Sequence, residues 1–124
     1  MHQANILVID DSEPLLEAFQ YILKYSGYKV KGMLTSHNLF RQIFNERPDI
    51  ILLDVRLNDT DGREICKSVK SNPDTQNIQI ILMSADSKAL ECNDCEADAI
   101  LQKPFNIADV RRIIQLLLEK RACN

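Results

Sequence analysis

The chain has no apolar run longer than four or five residues, too short to span a bilayer, so nothing in it reads as a transmembrane helix. Its N-terminus, "MHQAN", lacks both the charged start and the apolar centre of an export signal. There is no excess of basic residues either: the formal net charge is -3, and the lysines and arginines are scattered. That argues against direct nucleic-acid binding, which needs a concentrated basic surface. Glycine is scarce, with 3 residues, and neither low-complexity tracts nor internal repeats occur. What remains is a chain of 124 residues, 45% hydrophobic and 27% charged, long enough to close one core without disulfides or metals. The expectation is a single domain over residues 1–124, in the cytoplasm.

The 4 cysteines include Cys92 and Cys95 in a CxxC arrangement. With no export signal and no second pair to complete a zinc site, they are expected to be reduced, small side chains on or near a helix.

Apolar runs recur as "ILVI" (Ile6 to Ile9), "IILL" (Ile50 to Leu53), "IILM" (Ile80 to Met83) and "AIL" (Ala99 to Leu101). Continuous apolarity with many β-branched residues marks strands covered on both faces, hence a parallel sheet. "YKVKGM" (Tyr28 to Met33) alternates instead, as an edge strand does. Helical periodicity fills the intervals. Leu15, Leu16, Phe19, Ile22 and Leu23 share a face after the cap residue Ser12, with Pro14 in the first turn. Leu39, Ile43 and Phe44 suggest a second helix, Ile65 and Val69 a third, and Ser87 to Glu96 a short fourth. Asn106 caps a fifth, whose inner face is Val110, Ile113, Ile114 and Leu117. Strand followed by helix, five times over, predicts an α/β fold: a doubly wound five-stranded parallel sheet of order 2-1-3-4-5.

Ligands of such sheets bind at the carboxyl ends of the strands, where the strand order reverses. Those ends carry Asp10 and Asp11 after "ILVI", Asp54 after "IILL", Ser84 after "IILM", and Lys103-Pro104 shortly after "AIL". Each alone is an ordinary turn or cap residue. Together they are three acids that repel one another unless a cation joins them. Hard oxygen donors in an incomplete shell suit Mg²⁺ bridging carboxylates to a phosphoryl group, with Lys103 and Ser84 supplying a charge and a hydrogen bond. Asp54 can then act as a nucleophile toward phosphorus.

In "ILVIDDSE", "DIILLDVRLNDTDG", "ILMSA" and "LQKPF", taken in order, the chain resembles the response-regulator receiver domains of two-component signalling, over nearly its whole length. The resemblance implies a flavodoxin-like fold with Asp54 as phosphoacceptor. Asp10, Asp11, Asp54 and the backbone carbonyl of Arg56 would ligate Mg²⁺, Ser84 and Lys103 would contact the phosphoryl group, and the Lys103-Pro104 bond would be cis. It also implies a histidine kinase or phosphotransfer protein as donor, a downstream protein target, and a phosphoacceptor that promotes its own phosphorylation and dephosphorylation rather than an enzyme. Three departures from the family pattern stand out. Asn58 replaces a frequent proline, Ile100 replaces a frequent switch aromatic, and the interval from Ser84 to Lys103 is short by about one helical turn, roughly 3.6 residues. The fourth helix is therefore expected to be clipped.

Arg56 and Asp86 each lie two residues beyond a site residue, Asp54 and Ser84, and are expected to face each other across the entrance and gate attacking water. Three other readings compete. A phosphohydrolase of the haloacid dehalogenase type would want an acid where Arg56 stands. A flavin-binding domain would want a Ser/Thr-rich loop in place of "DDSEPLL". A phosphorylation-independent pseudo-receiver that only docks partners is opposed by the acid cluster and Lys103 but kept alive by Ile100 and the clipped fourth helix. His2 and His37 are assigned no role. No output module follows the last helix, so the chain is expected to be a stand-alone receiver or one excised from a longer protein.

Overall fold

The structure is a computed structural model, and it describes residues 3–122. The elements run β1 (Asn5–Ile9), α1 (Glu13–Tyr25), β2 (Lys29–Met33), α2 (Leu39–Glu46), β3 (Ile50–Asp54), α3 (Gly62–Ser71), β4 (Gln79–Ser84), β5 (Ala99–Gln102) and α4 (Ile107–Ala122). All five strands are parallel, in the order β2-β1-β3-β4-β5. The two central strands β3 and β4 are buried along their whole length, as unbroken apolar runs require, and the alternating β2 lies at an edge.

Side chains alternate across the sheet and so divide the core in two. Leu7, Ile9, Ile51, Leu53, Ile80 and Leu82 face α2 and α3, meeting Leu39, Ile43, Ile65 and Val69. Ile6, Val8, Ile50, Leu52, Ile81 and Met83 face α1 and α4, meeting Leu16, Phe19, Leu23, Val110, Ile114 and Leu117. The predicted helix faces hold except at Phe44, which is 40% exposed beneath the Arg47 guanidinium. Both predicted caps are in place. Ser12 Oγ accepts from Leu15 N at 3.4 Å, and Asn106 Oδ1 accepts from Asp109 N at 2.8 Å.

The predicted fourth helix is absent, and among the described residues the chain has four helices. From Asp86 the backbone makes three successive turns with i to i+3 hydrogen bonds, ending at Glu91. The next four residues, Cys92-Asn93-Asp94-Cys95, are all poor helix formers, and the turn does not propagate. The expectation of reduced cysteines fails at the same place: Cys92 and Cys95 are joined in a disulfide, with their Cα atoms 5.6 Å apart. Their assignment rested on compartment and ligand count, whereas the turn through Asn93 and Asp94 folds the chain back and brings the two side chains together. Neither lies on a helix.

Among the described residues, no helix is long and apolar enough to cross a membrane. His2 lies outside the described residues; His37 is exposed, in the loop between β2 and α2.

Candidate functional site

Parallel strands of matched register end together, so the residues following β1, β3, β4 and β5 share one edge. Asp10 follows β1 and is fully buried; its Oδ1 accepts from Ser12 N at 2.9 Å, which fixes the carboxylate toward β3. Asp54 is the last residue of β3 and is buried, and Asp11 is half-buried beside them. The three carboxylates each present an oxygen within 4.8 Å of the others. Lys103, just beyond β5, reaches across β4 to place Nζ 2.8 Å from Asp10 Oδ2 and 3.6 Å from Asp54 Oδ1. The Lys103-Pro104 peptide is cis, as the resemblance implied.

Burial pushes the Asp54 carboxyl above the usual carboxylate range, and the charge of Asp10 raises it further. The Lys103 ammonium and the Arg56 backbone N-H oppose that shift without cancelling it. One ammonium against three carboxylates leaves the cluster short of positive charge. Its donors are all hard oxygens, so the residues present fit a divalent cation such as Mg²⁺.

Ser84 closes β4 with its Oγ accepting from Asp86 N at 3.0 Å, which leaves the hydroxyl proton free to donate into the site. Asp54, Arg56, Ser84, Ala85, Asp86 and Lys103 line an open cleft of about 370 Å³. The expected meeting of Arg56 and Asp86 occurs: Nη2 lies 3.3 Å from Oδ2, with both side chains well exposed. The pair also borders the adjoining cleft of about 560 Å³, so it stands as a partition between the two. All the residues singled out at the strand ends are therefore brought together.

Gly62 and Asp61 carry functions that their local pattern does not announce. The loop after Asp54 turns back on itself. Gly62 N donates to Val55 O at 2.7 Å, and Arg56 pairs antiparallel with Asp61. Asp61 then caps α3, accepting from Arg63 N at 2.9 Å. The return is so tight that a Cβ on Gly62 would collide with the carbonyl oxygen of Asp54, and only glycine fits. The signal in the sequence is "TDG", just before the helical period of α3.

Several solved structures share this fold. A signal receiver domain of a signal transduction histidine kinase from Syntrophus aciditrophicus is 28% identical, with a TM-score of 0.84, covering 94% of this chain and 91% of that one. The chemotaxis response regulator CheY4 of Vibrio cholerae is 24% identical with a TM-score of 0.85, covering 94% of this chain and 99% of that one. A CheY-like receiver domain protein from Methanospirillum hungatei is 24% identical with a TM-score of 0.86, covering 99% of this chain and 100% of that one. The sequence model of the response regulator receiver domain matches residues 6–115, nearly the full length of the sheet and its helices, and the chain belongs to that family.

Proposed function

We propose that this chain acts as a phosphorylation switch in which Asp54 accepts a phosphoryl group from a histidine kinase or a phosphotransfer protein. The observation that carries the reading is Lys103 Nζ poised between Asp10 and Asp54, in a cleft that Ser84 also lines. An Asp54 carboxylate oxygen attacks phosphorus, the bond from phosphorus to the donor imidazole nitrogen breaks, and that nitrogen keeps the electron pair. Lys103 then pairs with one phosphoryl oxygen, and Ser84 donates a hydrogen bond to another. Asp10, Asp11, Asp54 and the Arg56 carbonyl would hold Mg²⁺, which supplies the positive charge needed where carboxylate and phosphoryl oxygens meet. The added charge of the phosphoryl group alters the balance of the surrounding loops and so changes which downstream protein is bound. The setting is cytoplasmic, and no external substrate is turned over.

Intact-mass measurement after incubation with a small-molecule phosphodonor and Mg²⁺ tests the assignment. A gain of one phosphoryl group in the wild type, lost in Asp54→Ala and on chelation of the metal, supports it. The same gain in Asp54→Ala overturns it.

A phosphorylation-independent docking module is the second reading. It is favoured by Ile100, 53% exposed where relatives often carry a switch aromatic, and by the missing helix between β4 and β5. Partner binding that is unchanged by Asp54→Ala and by phosphodonor would establish it.

A further inference from the structure

The segment 85–98 joins two site residues, Ser84 and Lys103, through β5, yet it contains no helix. Three successive turns anchor its first half, where Ala89 and Leu90 are buried against the α3 side of the sheet. Its second half has no such ladder, and the covalent link between Cys92 and Cys95 takes its place.

The two sulfurs are unequal. Cys95 is fully buried in the core on the α3 side, and its carbonyl oxygen accepts from the Cys66 thiol at 3.1 Å. Cys92 is half-buried, beside a polar surface cleft bordered by Lys67, Glu91 and Asp94. Lys67 reaches Asp94 Oδ2 at 3.1 Å, which sets an ammonium from α3 against the turn between the cysteines. A disulfide that spans three residue steps removes little conformational freedom from the unfolded chain, so it makes a weak staple for the whole fold. With one cysteine half-buried at a surface cleft and the other fully buried, it is instead arranged for exchange.

We propose that Cys92 and Cys95 form a thiol–disulfide exchange site, opened by a dithiol reductant at Cys92, whose state sets how ordered the 85–98 connection is. A reductant thiolate attacks Cys92 Sγ, the bond between the cysteines breaks, and Cys95 leaves with the electron pair and takes a proton. The second thiol of the reductant displaces Cys92 from the mixed disulfide. Two protein thiols and one oxidised reductant result, and the reverse exchange restores the ring. Neither sulfur touches the carboxylates at the strand ends, so the exchange site stands whether or not Asp54 is phosphorylated.

The test uses the chain carrying Cys123→Ser, equilibrated in glutathione buffers of varied ratio, alkylated and weighed, with hydrogen exchange measured in each state. The expected result is reversible conversion without denaturant between a form in which both thiols alkylate and one in which neither does, with buried Cys66 unmodified throughout. Reduction should speed amide exchange in 87–98 on the order of tenfold, and leave β1, β3 and β4 unchanged. Oxidised glutathione should attach to Cys92 in Cys95→Ser, but not to Cys95 in Cys92→Ser. Thiols that stay reduced in oxidising buffer, a ring that opens only on unfolding, or equal exchange in both states would overturn the proposal. So would zinc that binds the reduced pair with Asp94 and blocks its oxidation, which would make this a metal site.

Discussion

Gly62 at the start of α3 packs against the carbonyl oxygen of Asp54 at the end of β3 so closely that no side chain fits between them. Asp54, the proposed phosphoacceptor, and the first turn of a helix are thereby locked together. Gly62→Ala forces backbone apart on both sides, and overpacking of this kind costs about 1–3 kcal/mol. Urea denaturation should show that loss. Phosphorylation at Asp54 should fall as well, because the carboxylate moves with its backbone; a variant of wild-type stability would show that the contact yields freely.

Lys103→Ala leaves Asp10, fully buried, without its cation. Lys103 is partly exposed, so the loss should fall below that of a fully buried pair, at about 1–3 kcal/mol. Phosphorylation from a small donor should slow by at least about tenfold, as expected for loss of a charge aimed at the transferring group. Adding Asp10→Asn to Lys103→Ala should recover stability without recovering phosphorylation. Recovery of both would remove Lys103 from the chemistry.

The Arg56 and Asp86 side chains meet in the lining that the two clefts share but are well exposed, so Arg56→Ala should change stability by less than about 1 kcal/mol. Its expected effect is on the phosphorylated form: without the partition, water reaches the acyl phosphate more easily and its half-life shortens. Asp86→Asn should act in the same direction. Radiolabel decay measured on both variants decides the matter, and an unchanged half-life would reduce the pair to two solvated charges.

Burial pushes the Cys66 thiol up from 9.0 to about 11. Between those values the unfolded chain gives up its proton while the folded chain keeps it. Folding stability should therefore fall as pH rises through that window, and Cys66→Ala should show a shallower fall. Denaturation curves at pH 8 and pH 10.5 check the sign. In the folded protein Cys66 should resist alkylation at pH 8, when a thiol of ordinary pKa would react.

Much of this molecule is written in local pattern. Four aliphatic runs and one alternating run become five strands in the expected order, because a strand covered on both faces has no use for polar residues. Asp10, Asp11, Asp54, Ser84 and Lys103 stand out at the strand ends for the same reason: a carboxylate that terminates a buried run is costly to desolvate unless a cation meets it there. The segment from Ser87 to Glu96 misleads. Its first residues do turn, from Asp86 to Glu91, but Cys92 to Cys95 are poor helix formers and the turns do not propagate into a helix. Gly62 is inconspicuous because a glycine before a helix is common, and its purpose depends on the carbonyl of Asp54, in a different element of the chain.

The sequence by itself determined the sheet, its order and the identity of the groups along one edge, because hydrophobic period and strand ends are properties of neighbouring residues. Only the tertiary structure decided which of those groups touch. Lys103 chooses Asp10 over Asp54 by 2.8 Å against 3.6 Å, Arg56 finds Asp86, and Cys92 closes on Cys95. Those choices depend on strand register, loop closure and burial, and segments far apart in the chain set them jointly.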